Sequence, residues 1–434
     1  MTRQLRRVSA ADPMAVMQAL RGALDRSGPA ILPVAATNVA AAAAASQPPG
    51  SSASRSAARS SSIPSVRPTR PSNVLGAEGQ EVPDTVPQST ALVIETSGST
   101  GIPKRVVLSA DAVLASVAAS ETVLGGPGQW LLALPTHYVA GVQVLARSLA
   151  AGTTPEVLPP GPFDARAFAV ATSRLDGDLR FTSLVPAQLL TLVDAATDSR
   201  RVRRALQSYD AILIGGQRLD AVLAERADRL GARVVRTYGS SETAGGCVYD
   251  GVPLPGAQAR VVEGQIELAG PMLADGYLGD PERTDAAFHR APDAEGILRR
   301  WYRTGDTGTV DAGQVAVTGR IDNVIISGGT NVSLDRVEEA VRALDGFGTA
   351  IVVGVHDERW GQVPVIALFA DGGADADADS DARAAVRAHV AALIGVAAQP
   401  AAVVTLGTMP TLSSGKPDRR RIRSLVEGAI ARAR

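Results

Sequence analysis

The chain has 434 residues, 43 Lys and Arg against 44 Asp and Glu, 45% hydrophobic and 3% aromatic residues, which is an ordinary globular composition. At ~100–200 residues per domain there is room for two or three domains, and a net charge of -1 offers no field for gripping nucleic acid or an anionic membrane. The single Cys247 excludes an internal disulfide, no Cys/His cluster has zinc spacing, and no run reaches the ~18 apolar residues of a spanning helix, so a cytoplasmic protein without membrane insertion is expected.

Residues Ala11 to Leu32 place Met14, Met17, Leu20 and Leu24 at helical spacing, predicting a helical segment of a large domain over residues 1–34. From 35 to 72 the chain is nearly all Ala, Ser, Pro, Arg and Gly, including Ala40 to Ala45, and reads as a disordered insertion without the side chains for a core. From Ala91 onward, buried strands (Ala91 to Ile94, Trp130 to Leu134, Ala211 to Ile214) alternate with helices (Asp111 to Leu124, Gly141 to Ala150, Asp220 to Leu230). This is the pattern of doubly wound parallel α/β sheets, with ligands at the carboxyl ends of the strands. Short strands with Gly and Asp turns at Gln258 to Leu268 and Val310 to Thr318 predict a small β-rich subdomain closing a large domain over 73–320. The remainder, 321–434, reads as a small mobile α+β domain hinged near Arg320 to Asn323. Its expected parts are helices at Leu334 to Leu344 and Asp381 to Leu393, strands at Ala350 to Val355, Val363 to Phe369 and Ala402 to Leu406, and an Ala/Asp-rich loop at Gly372 to Ser380. No internal repeat is present.

The 43 basic residues include only two lysines, Lys104 and Lys416. Lys is a compact point charge suited to phosphate or carboxylate oxygens, whereas Arg is a planar fork. Lys104 closes the run Thr96-Ser97-Gly98-Ser99-Thr100-Gly101-Ile102-Pro103-Lys104 behind the first strand, where glycines, hydroxyls and a cation suit a mobile phosphate-binding loop. Pro103 before Lys104 and Arg105 after it separate this loop from the Walker pattern. In Tyr238-Gly239-Ser240-Ser241-Glu242, a ring that can stack on a base, hydroxyls for a phosphate and a carboxylate for a hard cation lie within five residues. Asp306, in Tyr302-Arg303-Thr304-Gly305-Asp306, could accept ribose hydroxyls, and Arg320 could reach a ribose or phosphate oxygen. Lys416 follows Leu412-Ser413-Ser414-Gly415, a loop free enough to carry a cation to a developing charge. His137 follows a strand where a substrate would lie. Serine-hydrolase, zinc-peptidase and dinucleotide fingerprints are missing from the sequence.

In their order and spacing, Thr96 to Lys104, Tyr238 to Glu242, Tyr302 to Asp306, Gly319 to Asp322 and Ser414 to Lys416 resemble the signatures of the adenylate-forming superfamily of acyl-CoA synthetases, adenylation domains and luciferases. More narrowly, Leu20 to Leu32, Leu134 to Gly141, Val144 to Gly152 and Glu242 to Gly251 are similar to the o-succinylbenzoate-CoA ligases of menaquinone biosynthesis in their short actinobacterial form. The resemblance implies an ATP-dependent, AMP-forming ligase that makes an acyl-adenylate and passes the acyl group to CoA. By it, Thr96, Ser97, Gly98, Ser99, Thr100, Gly101 and Lys104 hold the β- and γ-phosphates, and Gly215, Gly216, Gln217 and Tyr238 frame the adenine. Gly239 and Ser240 belong to the nucleotide site, Ser241 meets the α-phosphate, Glu242 holds Mg2+, and Asp306 with Arg320 takes the ribose. Lys416 drives adenylation, Asp322 is the hinge, and Gly328-Gly329 approach the CoA pantetheine. His137 is expected in the acyl pocket. Ser241 departs from the superfamily's usual Thr, and the Ala/Ser/Pro insertion is unusual. The expected partners are a small-molecule acid, ATP and CoA, with self-association into a homo-oligomer left open. Sibling aryl- or acyl-CoA ligases and free-standing enzymes that load carrier proteins share these motifs. A non-catalytic nucleotide-binding scaffold would not need Lys104, Glu242, Asp306 and Lys416 together.

Overall fold

The computed structural model describes residues 1–35, 82–96, 103–369, 380–411 and 416–433. The expected insertion at 35–72 lies outside the described residues except for its first position, as does the Ala/Asp-rich loop except Ser380, which begins a helix.

Two sheets with parallel strands build the body. One has six strands in the order Gly276–Tyr277, Lys104–Ser109, Thr90–Thr96, Ala30–Val34, Thr2–Ser9 and Thr85–Pro87, of which Thr90–Thr96, Ala30–Val34 and Thr2–Ser9 pair in parallel. The other has seven, with Val234–Ser240, Ala211–Ile214, Arg180–Leu184, Gln129–Leu132 and Glu156–Val157 parallel to one another and Gly245–Tyr249 added antiparallel at the end of Val234–Ser240. Its strand Ala211–Ile214 is apolar without a break and wholly buried because both faces are covered. Trp130, Leu132, Ala211 and Leu213 enter one core with the helices Pro13–Leu24, Ala110–Leu124 and Val139–Ala150. The alternate residues Leu131, Ile212 and Ile214 enter a second core with Phe168, Leu189 and Leu192. Period-two alternation thus divides one strand between two helical layers.

The N-terminal segment departs from expectation. Its helix spans only Pro13–Leu24, capped by Asp12, and is flanked by the strands Thr2–Ser9 and Ala30–Val34, so 1–34 is a strand-helix-strand unit. The first strand is rich in arginine and lacks an apolar signature, but Arg3 is buried and donates to the carbonyls of Ala23, Gly28 and Thr90.

The β-rich subdomain is antiparallel: Gln258–Val262, Gln265–Ala269, Leu298–Asp311, Phe288–Pro292 and Gln314–Arg320. The C-terminal domain has its own five-stranded sheet, formed by Thr330–Ser333, Val324–Ser327, Gly361–Phe369, Ile351–Asp357 and Ala402–Leu406. Its helices Leu334–Arg342, Ser380–Leu393 and Arg419–Ala433 complete the α+β architecture. The last helix was not expected from a run of arginines, but it sets Ile422 and Val426 one turn apart against Ile351, Val353 and Val365. Glu338 ties it down: its buried carboxylate accepts from Arg419 Nη2 at 2.9 Å and from the Val352 amide at 2.9 Å and pairs with Arg342 at 2.9 Å. Glu338→Ala is expected to cost ~1–3 kcal/mol, the scale of a buried hydrogen-bonded group lost. Hydrogen exchange would check it, faster protection loss in 419–433 being accompanied by unchanged protection in the body strands.

Candidate functional site

The first basic loop is the connection of a hairpin. Thr90–Thr96 pairs antiparallel with Lys104–Ser109, Thr96 standing opposite Lys104. Ser97, Gly98, Ser99, Thr100 and Gly101 lie outside the described residues, while both anchors of their loop are held in the ladder. From the second anchor the Lys104 ammonium sits 3.8 Å from Glu242 Oε1 and 5.6 Å from the centre of the Tyr277 ring. Tyr277 belongs to the strand paired with Lys104–Ser109, and its hydroxyl donates to the same Glu242 oxygen at 2.9 Å. A buried carboxylate needs such partners, because an isolated charge out of water is costly. Burial and the Glu242 charge push the Tyr277 and Tyr302 phenols upward, which keeps both as proton donors.

Glu242 is aimed by a tight local structure. The strand Val234–Ser240 reaches Ser240 because Thr237 to Ser240 pair with Gly245–Tyr249. Gly239 is required there, since a Cβ would stand 2.1 Å from the Gly245 carbonyl oxygen. Ser241, Glu242 and Thr243 then form a single 3-10 turn, all three buried. Thr243 Oγ1 closes it, accepting from the Ser240 amide at 2.8 Å and donating to the Gly245 carbonyl at 2.7 Å.

Tyr238 points from this strand to Asp306, its hydroxyl donating at 2.7 Å. Asp306 lies inside the long strand Leu298–Asp311, directly opposite Arg320. Arg320 donates to Asp306 at 2.9 Å and to Asp322 at 2.8 Å, and its amide donates to Asp335 at 2.8 Å. Burial raises the Asp306 carboxyl, and Tyr238 and Arg320 act against that shift by favouring the carboxylate. For Arg320, burial favours loss of the proton, but Asp322 and Asp306 outweigh it and raise the guanidinium.

The C-terminal lysine reaches the same place. A Cβ built on Gly216, in the left-handed region at φ +80, would lie 3.6 Å from Lys416 Cε. Gly215 beside it has no room for a side chain, since a Cβ would meet Thr237 Oγ1 at 2.5 Å. The ends of the strands Ala211–Ile214 and Val234–Ser240, the long antiparallel strand and the C-terminal domain therefore converge on one site. Gly328 and Gly329, at φ +55 and +80, turn the hairpin between Val324–Ser327 and Thr330–Ser333, Gly328 lying under the Trp360 ring.

His137 precedes the helix Val139–Ala150, with neither ring nitrogen hydrogen-bonded among the described residues; burial lowers its pKa and keeps the ring neutral. Gly141 permits this entry, because a Cβ would meet the Pro135 carbonyl oxygen at 2.3 Å. On the same helix Gln143 donates to the Ala244 carbonyl, as does Ser116 from the helix Ala110–Leu124. One turn further along both helices, Arg147 donates to Ser120 Oγ at 3.1 Å and to Tyr249 Oη at 3.2 Å, with its guanidinium 4.9 Å from the Trp130 ring centre. This buried cation hydrogen-bonds to hydroxyls and stacks on an indole, and its charge also acts on the Glu121 carboxylate, drawing down a pKa that burial raises. Sequence reasoning passed over it and over Tyr277; the signal for Arg147 was a pair of polar residues, Gln143 and Arg147, at i and i+4 on an apolar helix.

The residues fit a hard divalent cation. Glu242 presents a buried carboxylate beside the phosphate-loop anchor, and among the described residues no cluster of three His, Cys, Asp or Glu forms a protein cage. Magnesium is commonly held by one or two carboxylates together with substrate phosphates.

A model of the AMP-binding enzyme family matches residues 7–278, and that of the AMP-binding enzyme C-terminal domain matches 336–416. A Mycobacterium tuberculosis protein named "Probable 2-succinylbenzoate--CoA ligase" is 40% identical over 81% of this chain and 88% of its own length. The Salmonella typhimurium 2-succinylbenzoate–CoA ligase is 30% identical over 64% of this chain and 58% of its own. The solved E. coli MenE with a bound phenylether-linked analogue of OSB-AMS is 26% identical and superposes with a TM-score of 0.58 over 82% of this chain and 72% of that one. No helix among the described residues is long and apolar enough to cross a membrane.

Lys416 offers a direct electrostatic check. Burial and the nearby Arg320 lower its pKa, partly offset by Asp306. The ammonium charge is thus complete below that lowered pKa and lost as pH rises through it, sooner than for an ordinary lysine. Arg320→Ala removes the repelling cation and is expected to move the midpoint of Lys416 acylation, followed by mass spectrometry against pH, upward. An unmoved or lower midpoint would contradict the proximity of the two cations.

Proposed function

The chain belongs to the AMP-binding enzyme family, and from that premise we propose that it is an AMP-forming acid-CoA ligase acting on o-succinylbenzoate in menaquinone biosynthesis. The observation that carries the site reading is Lys416 standing over Gly216 beside the Tyr238, Asp306 and Arg320 set. The substrate reading rests on the similarity to 2-succinylbenzoate–CoA ligases.

In this reading ATP lies with its adenine along Gly215, Gly216, Gln217 and Tyr238 and its ribose hydroxyls on Asp306. Arg320 keeps that carboxylate ionised and oriented. The loop from Thr96 to Lys104 closes on the β- and γ-phosphates, and Gly239, Ser240 and Ser241 face the α-phosphate. Magnesium, when held by Glu242, screens the phosphate charge. The succinyl carboxylate attacks the α-phosphorus, pyrophosphate departs, and Lys416 stabilises the charge that builds on the oxygens as the bond forms. A free carboxylate is a poor acyl donor and AMP is a good leaving group, so the adenylate then reacts with the CoA thiol, forming the thioester and releasing AMP. For that second half-reaction the C-terminal domain turns about Asp322, withdrawing Lys416 and bringing Gly328 and Gly329 to the pantetheine. His137 lines the acyl pocket, and Arg147 faces the second, aromatic carboxylate, a role suited to a buried guanidinium whose hydrogen bonds go to neutral hydroxyls. The proposed boundaries are a body over 73–320, joined by 1–34, and a lid over 321–434, acting in the cytoplasm.

Pyrophosphate release from Mg-ATP with a panel of aromatic and aliphatic acids, with products read by mass spectrometry with and without CoA, tests this reading. o-Succinylbenzoate is expected to give an adenylate and then a thioester; another preferred acid would overturn the substrate, and no release with any acid would overturn the ligase. Lys416→Ala is expected to slow adenylate formation by ~10²-fold or more, the scale of a lost transition-state donor, and to spare thioester formation from supplied adenylate. Equal loss in both half-reactions would refute that division. Arg147→Lys is expected to raise the KM for the dicarboxylate by the equivalent of ~1.5–3 kcal/mol. It should leave the KM of a monocarboxylate analogue unchanged.

A further inference from the structure

Away from the hinge, the C-terminal domain meets the body at Arg218. This residue lies two positions after Gly216, on the loop that receives Lys416. Its guanidinium is gripped by the Glu339 carboxylate, Nη1 to Oε2 and Nη2 to Oε1, both at 2.6 Å. Glu339 stands on the helix Leu334–Arg342, one turn from Asp335. Asp335 in turn accepts from the Arg320 amide at 2.8 Å and from Asn323 Nδ2 at 2.6 Å. One helix therefore touches the hinge at its start and the nucleotide loop one turn later, and the two contacts together define where Lys416 falls.

We propose that the Arg218 and Glu339 pair is a latch that holds the C-terminal domain in the pose where Lys416 faces the nucleotide loop, and that it opens when the domain turns. The inference rests on the ligase reading above and adds to it a positioning pair for one half-reaction. The fork-to-fork geometry gives the contact direction, since a guanidinium and a carboxylate match in one relative orientation. Its exposure keeps it weak: the side chains are 61% and 49% accessible, so water competes for both charges. A weak and directional contact suits a joint that opens in every turnover. Ion pairs this exposed bias an equilibrium by only ~2- to 5-fold and are screened by salt.

Arg218→Ala and Glu339→Ala are each expected to slow adenylate formation ~2- to 5-fold, the bias of such a pair. Thioester formation from supplied adenylate should be unchanged or faster. The exchanged pair, Arg218→Glu with Glu339→Arg, is expected to restore adenylation, a rescue that simple damage to folding would not allow. Loss in both half-reactions, loss in neither, or failure of the exchange overturns the latch. The proximity is tested separately by introducing Arg218→Cys and Glu339→Cys and treating with a short bis-maleimide. Cys247 is buried and its thiol is pushed up to about 12 by desolvation, so it stays silent. A cross-link that leaves adenylation intact and blocks transfer to CoA supports the latch, while a cross-linked enzyme that transfers normally refutes it. Where the wild type releases no pyrophosphate with any acid, it is the ligase reading that fails; the yield of cross-link with ATP present then still decides the latch, and no cross-link overturns it.

Discussion

The Asp306 carboxylate is the interaction on which the rest of the site depends. It is a largely buried anion, and its partners come from separate parts of the chain: Tyr238 from the parallel sheet and Arg320 from the strand that leads into the C-terminal domain. A carboxylate removed from water must keep such partners, because losing one leaves a desolvated charge. The demand fixes the end of Val234–Ser240 against Leu298–Asp311, and through Arg320 it fixes the direction in which the chain leaves the body. Asp322 and Asp335 then hold the same guanidinium and its amide, so the hinge proposed at Asp322 is oriented by a residue proposed for the ribose.

The polar contacts of the site differ in how far they are shielded. Glu242 with Tyr277, Thr243 with the Gly245 carbonyl, and Arg147 with Ser120 and Tyr249 are closed in by the body, where a low effective dielectric strengthens a satisfied bond. Those that join the two domains, Arg320 with Asp322 and Arg218 with Glu339, are exposed on at least one side. Strong contacts shape the pocket and weak ones set the position of the moving part. This division is what a reaction in two steps with one set of residues requires.

Much of this was legible from local pattern. Ala211–Ile214 appears with its expected bounds, and the helices Ala110–Leu124, Val139–Ala150 and Ala221–Arg229 lie within two residues of theirs, because period and capping residues are local properties. What stayed illegible shares a cause. Tyr238, Gly239 and Ser240 pair with Gly245–Tyr249 across a sheet, and Thr304 to Asp306 are strand residues held by Ile266 and Arg320, pairings that local pattern does not carry. The strand Thr2–Ser9 and the helix Arg419–Ala433 are arginine-rich, and their order comes from distant carbonyls and from Glu338 rather than from their own composition. Motif order brought Lys104, Glu242, Asp306 and Lys416 to attention, whereas Arg147, Tyr277, Arg218 and Glu339 emerge only once helices and sheets are placed side by side.

The arginine bias of the chain has a chemical consequence. An arginine guanidinium stays protonated and unreactive toward acyl donors, while an amine that loses its proton becomes a nucleophile. With lysine at two positions only, both drawn into the site, the protein presents almost no side-chain amine elsewhere on its surface. An activated acyl group escaping into solution would therefore meet a surface nearly inert to acylation. Within the site, burial and Arg320 lower the Lys416 pKa, so the lysine proposed to assist the chemistry gives up its proton more readily than an ordinary amine and is itself open to capture by an activated acyl group.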